Sequence, residues 1–207
     1  VQAMAMESDD AQVKPFWDGV STLPPVASIV DSDHFRIEGS DFSQILQIKV
    51  KPGEMITTEP GTMVLMSKGL KPSVDTGGCC QGLSRCCCAG ESFFRLILEN
   101  STSEVQHLGI SPNGPGKIVP IDLDRFSGIT INKGAFLAAY GKSWRINLKF
   151  VNNALTGCCG GQGFVLTELH GEGMAFLHGI GAIERIVLAA GESYIVDSDC
   201  LLAYEKG

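Results

Sequence analysis

Residues 49–69 read KVKPGEMITTEPGTMVLMSKG, and this stretch decides the fold because its pattern occurs three times along the chain. Residues 122–142 read DLDRFSGITINKGAFLAAYGK, and residues 187–207 read VLAAGESYIVDSDCLLAYEKG. Each copy runs strand, turn, strand, tight turn, apolar strand. Gly61-Thr62-Met63, Gly134-Ala135-Phe136 and Asp199-Cys200-Leu201 fall at the same place, just before the apolar run. Glycine takes a positive φ at no steric cost and aspartate tolerates it, so tight turns are expected at Gly61 and Gly134, and likewise at Gly53 and Gly191. Self-similarity of this kind marks a fold made of supersecondary units that bury their apolar faces against one another.

A second element precedes the later copies, GESFFRLILENSTSEVQHLGI at 90–110 and GQGFVLTELHGEGMAFLHGI at 161–180. Each has two strand-like runs around a turn, Asn100-Ser101 in one and Gly171-Glu172-Gly173 in the other, and each is expected to be a hairpin. Between the repeats, period-two alternation recurs. Leu46, Ile48 and Val50 share one face and Gln47 and Lys49 the other, the mark of a half-buried strand. Further runs at 93–98, 105–110, 118–123, 136–140, 145–150, 164–170 and 183–188 are bounded by Gly, Pro, Asn or Asp. The expected fold is all-β: a short double-stranded β-helix, or two-sheet pseudobarrel, built from internal repeats. Residues 1–34, with Pro15, Pro24 and Pro25 and no sustained period, read as a partly ordered arm held by Phe16 and Trp17, and 35–207 as a single domain.

Composition narrows the function. The chain has 207 residues and 44% are apolar, enough for a sizeable core in one domain. A formal net charge of −7 removes the basic footprint on which nucleic-acid binding depends, so no nucleic-acid partner is expected. No run approaches the length of a membrane span, and the first residues have neither an apolar signal core nor an Arg-rich amphipathic face. The expectation is a protein that is not secreted, cytoplasmic or mitochondrial, in a reducing compartment. The cysteines agree with this. Of eight, seven crowd into TGGCCQGLSRCCCAG and TGCCGG as Cys79, Cys80, Cys86, Cys87, Cys88, Cys158 and Cys159, a poor disulfide framework because bonds between adjacent cysteines are strained.

PGEMITTEPGTMVLMS, GLSR followed by GESFF, PIDLDRFSGITINKGAFLAA and GGQGFVLTELHGEGMAFLHG stand in this order over roughly residues 35–205. Together they resemble the altered-inheritance-of-mitochondria twenty-four family of bacteria and eukaryotes. The resemblance implies a fold similar to the tryptophan RNA-binding attenuation protein and a symmetric homo-oligomer, with a trimer as the expected state and a link to mitochondrial or membrane organisation. It implies no reaction and no catalytic residue. Relatives usually carry glycine and large apolar residues where this chain has its five-cysteine loop, which leaves that loop open to a role of its own.

The cysteine loops admit more than one chemistry. Structural zinc takes cysteine pairs two to four residues apart, whereas here neighbours point apart and Cys80 and Cys86 are widely spaced. Cysteine also packs as a small hydrophobe, and clustered cysteines accept acyl chains that would bring a soluble ring to a membrane surface. Arg85 beside Cys86 would favour a thiolate. His34, His107, His170 and His178 read as isolated, without the HxH spacing of a cupin metal centre. No GxSxG or cysteine–histidine signature is present. The expected function is therefore a non-enzymatic scaffold or interaction protein, without catalytic residues, cofactor or metal, that binds itself and, through its cysteine loops, a membrane surface. A metal- or ligand-binding module using those loops is the alternative.

Overall fold

The computed structural model describes residues 20–21, 29–40, 42–75, 95–132, 134–151 and 164–205. Alternation is clearest in β4 (Gln44–Val50), which buries Gln44, Leu46, Ile48 and Val50 and exposes Gln47 and Lys49. β4 lies at the middle of a five-stranded sheet. β3 (Phe35–Gly39) flanks it on one side, with β2 (Ile29–Asp31) beyond, and β9 (Gln106–Ile110) on the other, with β6 (Met63–Met66) at the edge. A six-stranded sheet follows the order β10 (Lys117–Asp122), β15 (Met174–Gly179), β12 (Phe136–Tyr140), β5 (Met55–Thr58), β8 (Arg95–Asn100) and β7 (Leu70–Asp75). The third sheet has four strands, β13 (Arg145–Val151), β14 (Phe164–His170), β11 (Ile129–Ile131) and β17 (Ala203–Glu205). A two-stranded ribbon joins β1 (Val20–Ser21) to β16 (Arg185–Ile186). All these ladders are antiparallel, and the described helix is limited to short 3-10 turns such as Leu123–Arg125.

The six-stranded sheet is the middle layer. Phe35, Ile37, Leu46, Ile48, Val50, Leu108 and Ile110 of the five-stranded sheet pack with Ile56, Leu98, Leu137, Tyr140 and Phe176 on one of its faces. Ile129, Ile131 and Leu169 of the four-stranded sheet pack with Ile121, Phe136, Ala139, Ala175 and Leu177 on the other. A strand in the middle layer must be apolar on both sides, and β12, with sequence FLAAY, is buried at all five positions. Burying a large apolar side chain is worth about 1.5–3 kcal/mol, so these two interfaces dominate the stability.

The all-β class holds, but the strands form several sheets rather than two, and among the described residues no sheet closes into a barrel. The hairpins expected at 90–110 and 161–180 are corners instead. β8 pairs with β5 and β7 while β9 pairs with β4 and β6, and β14 pairs with β11 and β13 while β15 pairs with β10 and β12. The reason is local. Asn100 is fully buried; its side-chain amide donates to Val50 O and Glu104 O, and its Oδ1 accepts from the Thr102 N–H and hydroxyl. These bonds steer the chain out of one sheet and into the next. At the other corner Gly171 and Gly173 adopt φ of 102° and 139°. The run expected at 183–188 shrinks to β16, with Val187 and Leu188 exposed.

Gly53, Gly61, Gly134 and Gly191 all have φ between 72° and 84°. Of the N-terminal arm, β1 and β2 are described, whereas Phe16 and Trp17 lie outside the described residues. So do the seven loop cysteines and Arg85. Their loops follow the ends of two ladders, Asp75 paired with Arg95 and Val151 with Phe164.

Candidate functional site

A polar cluster lies where β3 enters its sheet. The Ser32 hydroxyl donates to Phe35 O and accepts the amides of His34 and Phe35, so it is fully used in closing this turn. The turn presents the His34 ring, whose Nε2 donates to Glu54 Oε2 at 2.9 Å. The same carboxylate oxygen accepts the Lys51 amide at 2.9 Å, across the turn joining β4 and β5. Tyr140 packs on the other side of the imidazole, with ring centroids 4.3 Å apart.

Two opposing effects act on Glu54. Burial disfavours its charge, but the hydrogen bonds from His34 and Lys51 and the charges of these residues outweigh it, holding the carboxyl below its usual range. Burial, reinforced by the negative charges of Glu54 and Asp122, pushes the Tyr140 hydroxyl well above the usual tyrosine range. Tyr140 therefore stays protonated and Glu54 ionised at neutral pH. A folded-state pKa below the unfolded one gives stabilisation that is fully present above the ordinary glutamate pKa and is lost as pH falls from there through the folded-state pKa. Thermal melts of wild type and Glu54→Gln should accordingly differ more at about pH 7 than at about pH 4. A difference independent of pH would show that the carboxylate charge is not what the clasp uses.

A groove of about 470 Å³ opens beside this cluster, rimmed by His34, Arg36, Gln47, Lys49, His107 and the β6 residue Leu65. Arg36, Gln47 and Lys49 give it polar and cationic groups beside the apolar Phe35, Ile48, Leu65 and Leu108. Arg36 is engaged by Glu38 at 3.0 Å, and the Ser67 hydroxyl accepts the His107 amide. Ser32 also lines the groove, with its proton and both lone pairs engaged in the turn.

His34 is thus not isolated, contrary to the reading of the sequence. Its partners come from β-register rather than from local spacing: His34 O accepts the Lys49 amide, which sets β3 against β4 and brings Glu54 over the ring. His178 is half-buried in β15; desolvation pushes its imidazole pKa down, partly offset by the Gly134 backbone, and its amide donates to Ala135 O. It serves the sheet. His170 ends β14 opposite Arg145, and Trp144 stacks on Phe136 at 5.9 Å against the second core. Among the described residues no group of three His, Cys, Asp or Glu side chains is placed to hold a metal ion, and no helix is long and apolar enough to cross a membrane.

Antiparallel sheets packed in layers, with a clasped turn and an adjoining groove, define an all-β protein. The chain belongs to the family described as mitochondrial biogenesis AIM24, whose sequence profile matches residues 35–207. In fold it is similar to a crystal structure of a protein from Streptococcus pyogenes, with a TM-score of 0.51 and 22% identity over 72% of this chain. The match spans 65% of the bacterial protein's length. No curated protein matches the sequence.

Proposed function

We propose that this chain is a non-enzymatic scaffold, built from three copies of one strand unit, that acts as a symmetric homo-oligomer in mitochondrial or membrane organisation. One observation carries the reading. The four ladders β4·β9, β5·β8, β6·β9 and β7·β8 have counterparts six strands later in β10·β15, β11·β14, β12·β15 and β13·β14. The correspondence extends to an irregularity: the register shifts between Met63 and Leu65 in β6 and between Phe136 and Ala138 in β12. Both sites follow the turn glycine of their copy, as the sequence repeat requires. A chain that crosses between sheets at matching corners supports the double-stranded β-helix reading, and repeated units with open strand edges favour assembly.

The family's description links such chains to mitochondrial biogenesis, and the clasp at His34 and Glu54 has a structural use. The cysteine loops follow the ends of corresponding ladders, β7·β8 and β13·β14, and in this reading face a membrane surface.

Native mass spectrometry of freshly reduced protein tests both parts. The expected result is a metal-free species at three times the 22.0 kDa chain mass. A monomer would end the oligomer reading, and stoichiometric zinc or iron would make the cysteine loops a metal site instead.

A further inference from the structure

The two ladders that join successive units follow one rule of register, and that rule names the partner of the exposed edge strand β6. Aligned on Gly61, Gly134 and Asp199, the sequence copies make Ile56, Ile129 and Tyr194 equivalent, and likewise Ser67, Tyr140 and Glu205. In the ladder between the first and second units, Ile56 faces Tyr140, Thr57 faces Ala139 and Thr58 faces Ala138. Between the second and third, Ile129 faces Glu205, Thr130 faces Tyr204 and Ile131 faces Ala203. The two agree residue for residue. Carried one step further, the rule sets Tyr194 opposite Ser67, Ile195 opposite Met66 and Val196 opposite Leu65.

Both halves of that third ladder stand open. β6 ends its sheet, and among the described residues it pairs only with β9. Met63, Val64, Leu65 and Met66 are each 36–56% exposed, an unbroken apolar edge with neither charge nor proline to block pairing. Tyr194 and Val196 are nearly half exposed and Ile195 is wholly so. Their counterparts in the formed ladders, Ile56, Thr58, Ile129 and Ile131, are fully buried. A segment with the pattern of a buried strand is therefore held in solvent, and an edge of matching register is left without a strand.

Resting on the repeat and homo-oligomer reading above, we infer that β6 of one chain receives residues 194–196 of a second copy as an antiparallel strand, in that register. A second copy is the occupant because in the described fold the chain's own two segments, though matched in register, stay unjoined and exposed. The contact joins two different surfaces, head to tail, and such a contact closes into a ring when its rotation permits. Strand addition supplies backbone hydrogen bonds, and the alternate side chains Tyr194 and Val196 supply the buried contacts.

The test places a photo-crosslinking benzoylphenylalanine at Ile195, a position fully exposed in the single chain. Isotopically heavy and light protein are mixed after dissociation and reassembly, irradiated, and the linked peptides sequenced. The expected product joins position 195 of one isotope to residues 65–67 of the other. Links of β6 to position 195 within one isotope only would overturn the exchange in favour of closure within the chain. Links elsewhere, with the oligomer still present by native mass spectrometry, would overturn this inference and leave the homo-oligomer standing; a monomer would remove both. Val196→Asp, at an exposed position of the single chain, should leave the monomer's melting unchanged and raise the concentration for half-dissociation by about tenfold or more. An unchanged dissociation midpoint would also overturn the inference.

Discussion

Phe176→Ala should lower the stability of the protein by about 3–5 kcal/mol, the range for deleting a buried phenylalanine from a core. For a chain of this length that corresponds to a fall in melting temperature of roughly 6–20 °C. Phe176 has no solvent exposure and sits in β15, the second strand of the middle layer. Its ring meets Phe35 edge-on at 4.9 Å and Tyr140 at 5.9 Å, so it is where the middle layer grips the five-stranded sheet. Phe35 follows His34, and Tyr140 packs on the His34 ring, so the loss should also loosen the clasp to Glu54. Its neighbours in β15, Ala175 and Leu177, face the other core and should keep their packing. Phe176→Leu retains most of the volume and should recover the larger part of the loss. Chemical denaturation followed by fluorescence measures both variants; equal losses for alanine and leucine would mean that aromatic geometry, not filled volume, holds this contact.

How much of the fold is legible in the sequence depends on whether a residue's environment is set by its neighbours along the chain. The alternation of β4 is readable because one of its faces is buried and the other is solvated, which writes the period directly into the side chains. The apolar runs of β6 and β12 look alike, MVLM and FLAAY, yet β6 is exposed throughout and β12 buried throughout. That contrast comes from which strands lie beside them. The turns at Asn100 and at Gly171 to Gly173 are also readable, but a turn signal does not say whether the next strand continues in the same sheet. The pairing of His34 with Glu54 is hidden for a related reason: it joins residues twenty apart through the register of β3 on β4.

The corner between β14 and β15 carries the other large effect, and Gly173→Ala should expose it. Gly173 has φ of 139°, a conformation that costs an L side chain about 1–3 kcal/mol. Space is the second obstacle. A Cβ there would lie 2.3 Å from Tyr140 O and 2.8 Å from the Cα of Gly141, both backbone atoms of the adjoining turn. Retreat is prevented on the other side, because the Gly173 amide donates to Asp124 Oδ1 at 3.0 Å and its carbonyl accepts from the Leu123 amide at 2.8 Å. With overpacking added, the total expected cost is about 2–6 kcal/mol. Gly191→Ala separates the two causes. Gly191 has φ of 83°, but a Cβ added there would meet nothing within 4 Å, so only the backbone preference is lost, about 1–2 kcal/mol. Denaturation midpoints for the two variants should therefore differ clearly, with Gly173→Ala the lower. Equal midpoints would mean that the corner opens to admit a methyl group, and that the crossing between sheets is held by the bonds to Asp124 and Leu123 rather than by close backbone approach.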